Sequence, residues 1–148
     1  MFLNGVAGLG TPYLQPLFES RFIGEGAAED KCVAVCESIV FLIQVNLEEM
    51  TRIAGPLSAI VISGGLAELD GLCQRLSDLS GLPLQRPNDH EASTRGLINL
   101  LDGNLSTTKA QRAGTGFQPR SDPELRARYH AWREALEAAL VKENGRIV

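Results

Sequence analysis

The sequence predicts an α/β fold in which short parallel strands are flanked by helices. Three segments carry this reading. A long helical pattern runs from about Ala28 to Ile53. A short, continuously apolar run, Leu57 to Ile62, ends in Gly64 and Gly65. A second short run, Leu82 to Arg86, follows after a segment of helical spacing. Helices and strands that alternate in this order favour parallel strands joined by right-handed crossovers, which lay the helices on the sheet. At 148 residues, with 44% hydrophobic and 22% charged residues, the chain has the balance of a soluble globular domain.

At the N-terminus, Phe2 to Val6 reads as a short strand. Gly5, Gly8, Gly10, Pro12, Pro16, Gly24 and Gly26 then punctuate the backbone, so Asn4 to Gly26 reads mainly as an ordered loop. In the long helix, Glu29 and Asp30 occupy the first turn, where the helix dipole favours anions. Cys32, Val35, Cys36, Ile39, Ile43, Leu47 and Met50 follow helical spacing. Val40, Phe41 and Leu42 widen that face, which predicts a middle buried nearly all round. Gly55 and Pro56 stop the helix.

Leu57 to Ile62, with β-branched Ile60, Val61 and Ile62, has the composition of a strand covered on both faces. After the turn Ser63-Gly64-Gly65, Leu69, Leu72, Cys73, Leu76 and Leu79 share one helical face, and Gly81 ends that helix. Leu82 to Arg86 is the next strand, stopped by Pro87. Asp89 caps a further helix carrying Leu97, Ile98 and Leu101, which ends near Gly103. Residues 105–120, polar and rich in Ser, Thr and Gly, read as a linker or exposed loop. Ser121-Asp122-Pro123-Glu124 opens a final helix within 121–148, with capping-box spacing and proline in the first turn. Leu125, Tyr129, Trp132, Leu136 and Leu140 form its apolar stripe, and Tyr129 and Trp132 read as core anchors rather than ligand contacts.

Several function classes are disfavoured. The net charge is −4 with mixed signs and no basic block, so neither nucleic acid nor an anionic membrane is an expected partner. Ile39 to Val45, the most apolar stretch, is too short to span a bilayer. No basic segment resembling a signal peptide begins the chain, and a cytoplasmic location is the expectation. Three cysteines, Cys32, Cys36 and Cys73, do not suggest a disulfide framework. Cys32 and Cys36 lie one helical turn apart, a spacing that two metal ligands share. With neither His90 nor His130 near in sequence, they read as small core hydrophobes. Gly5 to Gly10 spells GxxGxG rather than GxGxxG, and no Walker A sequence is present.

The segment with most chemical content is Ala59 to Asp70. A strand ends in two glycines and a helix begins at once. Without a Cβ, a flat ligand such as adenine or ribose can approach the backbone closely, and the C-terminal end of a strand is where open α/β sheets bind ligands. The same pair also serves simply to make a tight strand-to-helix turn, and local sequence leaves both readings open.

A wider pattern bears on this choice. Ala7-Gly-Leu-Gly-Thr-Pro-Tyr13 precedes a helix containing Glu37-Ser-Ile-Val-Phe41 and Leu47-Glu-Glu-Met50. Ile62-Ser-Gly-Gly65 is followed by Leu72-Cys-Gln-Arg-Leu-Ser-Asp-Leu-Ser-Gly81, Leu82-Pro-Leu-Gln-Arg-Pro87 and Glu91-Ala-Ser-Thr-Arg-Gly96. In order and spacing this set, over roughly Phe2 to Leu101, resembles the C-terminal part of FGGY-type carbohydrate kinases, most nearly the glycerol kinases. The resemblance implies a partial ribonuclease-H-like domain of the actin-like ATPase superfamily over 1–104. It implies phosphoryl transfer from Mg-ATP to a hydroxyl, with ATP and Mg²⁺ as cofactors. It places the adenosine against Gly64 and Gly65 and, less directly, Ser63.

Glycerol kinases carry an asparagine near the adenine where this chain has Leu69, and Asp70 follows as a substitute candidate. The family's aspartate base, phosphate loops and polyol pocket lie upstream of the matching region. No catalytic residue is therefore assigned here, and the sugar or polyol is expected on an N-terminal domain outside the chain. Glu68, Glu91 and Arg95 read as solvated surface or helix-start residues. Two other classes stay open: a non-catalytic remnant that binds a nucleotide or a protein, and an interaction domain that forms homo-oligomers through an exposed sheet edge.

Overall fold

The computed structural model describes residues 1–88, 97, 101 and 114–144. The chain divides into two compact units, Met1–Pro56 with Ser121–Val148, and Leu57–Arg120. Glu91, Arg95 and the helix expected from Asp89 lie outside the described residues, apart from Leu97 and Leu101, which are helical.

In the first unit, β1 (Phe2–Leu3) pairs antiparallel with β2 (Arg21–Phe22), a strand the loop reading did not include. The segment between them is ordered by its own contacts. Leu9 and Gln15 exchange backbone hydrogen bonds at 2.8 and 2.9 Å, and Leu9 and Phe18 are buried. Gly5 is required by close approach, because a Cβ there would stand 2.5 Å from Phe18. α1 spans Ala28–Ala54, and the Asp30 carboxylate accepts the Ala27 N–H at 3.1 Å at its start.

The most deeply buried residues of α1 are Glu37, Ser38, Val40, Phe41 and Val45, with the rest of 37–45 at least half-buried. This corrects the expected face: Cys32 and Met50 are exposed. The sequence stripe followed hydrophobicity alone, whereas Glu37 and Ser38 are buried because their polar groups are satisfied there. Arg128 donates to both Glu37 oxygens, at 2.7 and 3.0 Å, and Ser38 Oγ donates to Val35 O.

The donor of that pair belongs to α3 (Pro123–Asn144). Asp122 Oδ1 accepts the Leu125 N–H at 2.8 Å, so Asp122 caps the helix with Pro123 in its first position. Of the expected stripe, Leu125, Tyr129, Trp132 and Leu136 are buried, while Leu140 is half-buried and Ala139 beside it is buried. Phe41 meets Tyr129 and Trp132 with ring centroids 5.5 and 5.4 Å apart, contacts that add about 0.5–1.5 kcal/mol each beyond burial. Trp132 Nε1 donates to Phe2 O at 2.8 Å, and Tyr129 Oη donates to Glu48 at 2.9 Å. Burial, then the hydrogen bond to Glu48, push the Tyr129 phenol above its ordinary range.

Among the described residues the second unit contains a three-stranded sheet of order β3-β4-β5, where β3 is Ile60–Val61, β4 is Leu84–Pro87 and β5 is Gly114–Phe117. β3 and β4 are parallel, with Ile60 opposite Leu84, and α2 (Asp70–Ser80) connects them, as the strand-helix-strand pattern predicts. β3 is shorter than expected, and Val61 is 51% exposed rather than covered on both faces. Among the described residues β3 is an edge strand, so its neighbours cover it on one side only.

At Gly114–Phe117 β5 stands where the sequence reads linker or exposed loop; residues 105–113 of that segment lie outside the described residues. Two of its four residues are glycines, so it lacks the apolar alternation that signals a strand. Pairing with β4 and α2 supplies what its sequence lacks. Ser77 Oγ lies 3.2 Å from Phe117 O. Gln74 donates to Gln118 O at 2.8 Å, and Asp78 accepts the Arg120 N–H at 2.8 Å.

At Gly114 a Cβ would stand 2.1 Å from Arg86 O. Gly114→Ala is therefore expected to push β5 off β4 and lower stability by about 1–3 kcal/mol, the usual range for overpacking. Urea denaturation checks this; an unchanged midpoint would show that β5 is not held as described.

Candidate functional site

The chain leaves β3 through Ile62 and Ser63 into the two glycines. Gly64 has φ 96° and ψ 172°, a conformation open to glycine and strained for other residues. Gly65 begins a 3₁₀ turn, Gly65–Glu68, and Leu69 links it to α2 in an extended conformation with φ −83°. Gly65 is not in the left-handed region, and among the described residues a Cβ placed on it meets no atom within 4 Å. The two glycines thus differ: the backbone demands Gly64, while no described residue demands Gly65.

Ser63, Gly64, Gly65, Leu69 and Asp70 are all exposed, within one short stretch at the C-terminal end of β3. Leu66 and Leu69 are 53% and 46% exposed, so the turn is flanked by apolar surface. Leu69 stands outside α2 and does not share its buried face, which comprises Leu72, Cys73, Leu76 and Leu79. Its side chain has no hydrogen-bonding group to read a nucleobase. Asp70 is committed elsewhere. Its Oδ1 pairs with Arg86 Nη1 at 2.8 Å, with Asp70 72% and Arg86 12% exposed.

Sequence reasoning missed Arg86, which it treated only as the end of a strand. Its Nη1 also donates to Ala67 O at 2.7 Å, its Nη2 to Thr115 Oγ1 at 3.4 Å, and its guanidinium lies 5.5 Å from the Phe117 ring centroid. An arginine inside a short apolar strand was the available signal, since buried charges require partners. Cys73 Sγ donates to the same Ala67 carbonyl at 3.2 Å, and burial pushes its thiol above the ordinary range.

Elsewhere, a cleft of about 320 Å³ in the first unit is lined by Leu3, Arg21, Ile23, Ala135, Ala138, Ala139 and Lys142, a set without a carboxylate or nucleophile. Among the described residues no group of three or more His, Cys, Asp or Glu could hold a metal ion. No described helix is long and apolar enough to cross a membrane.

The sequence profile of the FGGY family of carbohydrate kinases, C-terminal domain, matches residues 1–101. The chain belongs to this family. It is 30% identical to a glycerol kinase of Myxococcus xanthus, over 94% of this chain and 30% of that protein. It is 32% identical to a glycerol kinase of Bordetella parapertussis, over 88% of this chain and 28% of that protein. Among solved structures, the fold resembles Plasmodium falciparum glycerol kinase with ADP, at a TM-score of 0.75 and 19% identity, covering 95% of this chain and 30% of that one. Gluconate kinase from Lactobacillus acidophilus gives a TM-score of 0.75 at 18% identity, covering 95% and 31%. The fold is thus the α/β fold of these kinases, and the chain spans about 30% of the length of the relatives it matches.

Two outcomes follow from the turn. Gly64→Ala should lower stability by about 1–2 kcal/mol through backbone strain, while Gly65→Ala should stay within about 0.5 kcal/mol of the parent. Chemical denaturation of both variants checks the contrast, and equal losses would contradict the geometry. Exposed Cys32 should react with iodoacetamide in the native state well before buried Cys73, whose thiol stays protonated at neutral pH. Mass spectrometry of the partly alkylated protein reads the order.

Proposed function

We propose that this chain supplies the adenosine side of the ATP site of a carbohydrate kinase that transfers phosphate to an alcohol hydroxyl. The carrying observation is the Ser63-Gly64-Gly65 turn at the end of β3, where a Cβ on Gly65 would meet no atom of the described residues within 4 Å. A glycine that neither strain nor packing requires fits a surface kept clear for a flat ligand. Exposed Leu66 and Leu69 would give the base apolar contact, and Ser63 a polar group beside the ribose. The residues present thus fit the adenosine half of ATP.

They do not extend to the phosphates or the metal. The described residues offer no cluster of three or more metal-ligating side chains, so no step is assigned here to Mg²⁺. When bound in the complete protein, ATP supplies the phosphoryl group. This chain's residues position its adenosine, and the general base and the main phosphate-binding loops belong to the part of the complete protein outside this chain. The complete protein is proposed to be cytoplasmic and to use a sugar or polyol. Glycerol is the first acceptor to test, because the curated relatives are glycerol kinases.

A specific observation favours a second reading, that of a remnant with weakened nucleotide recognition. Leu69 carries no polar group, and Asp70 is paired with Arg86. ATP titration of the full-length protein separates the two, since a remnant without the site gives no saturable binding.

Gly65→Val should weaken ATP binding by full-length protein about tenfold or more, a loss of roughly 1.4 kcal/mol. Calorimetry on folded protein is the measurement, and equal affinities would remove the adenosine assignment. This chain alone should show no turnover with ATP, Mg²⁺ and glycerol, xylulose or gluconate in a coupled assay. A rate on the order of 1 s⁻¹ would show that the catalytic groups lie within it.

A further inference from the structure

We propose that Arg86 is a positioning residue for the nucleotide, acting through the Ala67 carbonyl and Asp70 without touching the ligand. The inference rests on the adenosine reading of the Gly64–Gly65 turn. Two glycines lead into a 3₁₀ segment that is joined to its flanks by Ala67 N to Gly64 O at 3.0 Å and Leu69 N to Leu66 O at 3.2 Å. Such short segments have poorer hydrogen-bond geometry than an α-helix, and all of this one except Ala67 is exposed.

Ala67 is fully buried, and its carbonyl is where the turn is tied down. Arg86 Nη1 reaches that oxygen at 2.7 Å and Asp70 Oδ1 at 2.8 Å, so one nitrogen fixes both the 3₁₀ segment and the first residue of α2. The guanidinium is itself held, by Thr115 Oγ1 at 3.4 Å and by the Phe117 ring, on β5. The position of the turn is thereby set by the sheet.

Charge gives the arrangement a second effect. Asp70 is an exposed negative charge beside the proposed site of ATP, which is itself an anion. Arg86 cancels that charge while holding the carbonyl. Lysine has the charge but lacks the second nitrogen that reaches Thr115 Oγ1 and the planar face that lies over the Phe117 ring, so it would not be held by β5 in the same way.

The test is calorimetric titration of ATP into full-length protein, as wild type, Arg86→Met, Arg86→Lys and the site control Gly65→Val. Arg86→Met should bind ATP about tenfold more weakly, the scale of one charge-assisted hydrogen bond, with Arg86→Lys intermediate. A residue that only maintained stability would lower the folded fraction and leave the dissociation constant of the folded protein unchanged. If Gly65→Val weakens binding and Arg86→Met does not, the site stands and the positioning role is overturned. If neither matters, both fall. Should Arg86→Met not fold, Arg86→Lys carries the test, with affinity lowered about threefold or more expected and unchanged affinity overturning the proposal.

Discussion

The second unit depends on how one nearly buried guanidinium is satisfied. Arg86 sits on the middle strand of a three-stranded sheet, with its side chain 12% exposed. A charge so placed must find partners, because its desolvation is otherwise costly. Asp70 comes from the start of α2, the Ala67 carbonyl from the 3₁₀ turn, and Thr115 and Phe117 from β5. Strands of two to four residues bring few ladder bonds, so this one side chain ties together elements that backbone pairing joins only briefly.

The first unit reaches a comparable result by different means. α3 follows α1 by more than sixty residues in the sequence, yet it is the segment that completes the packing around α1. The aromatic contacts of Phe41 with Tyr129 and Trp132 supply apolar burial. The Arg128–Glu37 pair, the Tyr129–Glu48 bond and the Trp132–Phe2 bond set the register along the helices. Glu37 is 7% exposed and Arg128 47%, so solvent screens one end of that pair. Its value lies more in satisfying the buried carboxylate than in attraction.

Helices and strand order were legible because apolar period and Gly-Pro punctuation are local signals. The α1 and α2 boundaries, the parallel β3–β4 pair and the stripe of α3 all follow from them. What escaped was nonlocal. β2 exists because β1 pairs with it, and β5 because β4 pairs with it and Arg86 and Ser77 reach it. The buried face of α1 includes Glu37, whose carboxylate is met by Arg128, far along the chain. At the candidate site the glycine pair was visible in the sequence. The commitment of Asp70 to Arg86 was not, since no spacing rule links residues from a helix start and a parallel strand.

The paired glycines answer to different pressures. Gly64 is fixed by its own backbone angles, so substitutions there report on folding. Gly65 is free of that demand, and no described atom lies within 4 Å of where its Cβ would stand. Side-chain size at 65 can therefore be varied as an independent dial. A graded series from alanine upward would measure the thickness of whatever rests on the turn, and a ligand trimmed at the matching edge could restore what a larger side chain excludes.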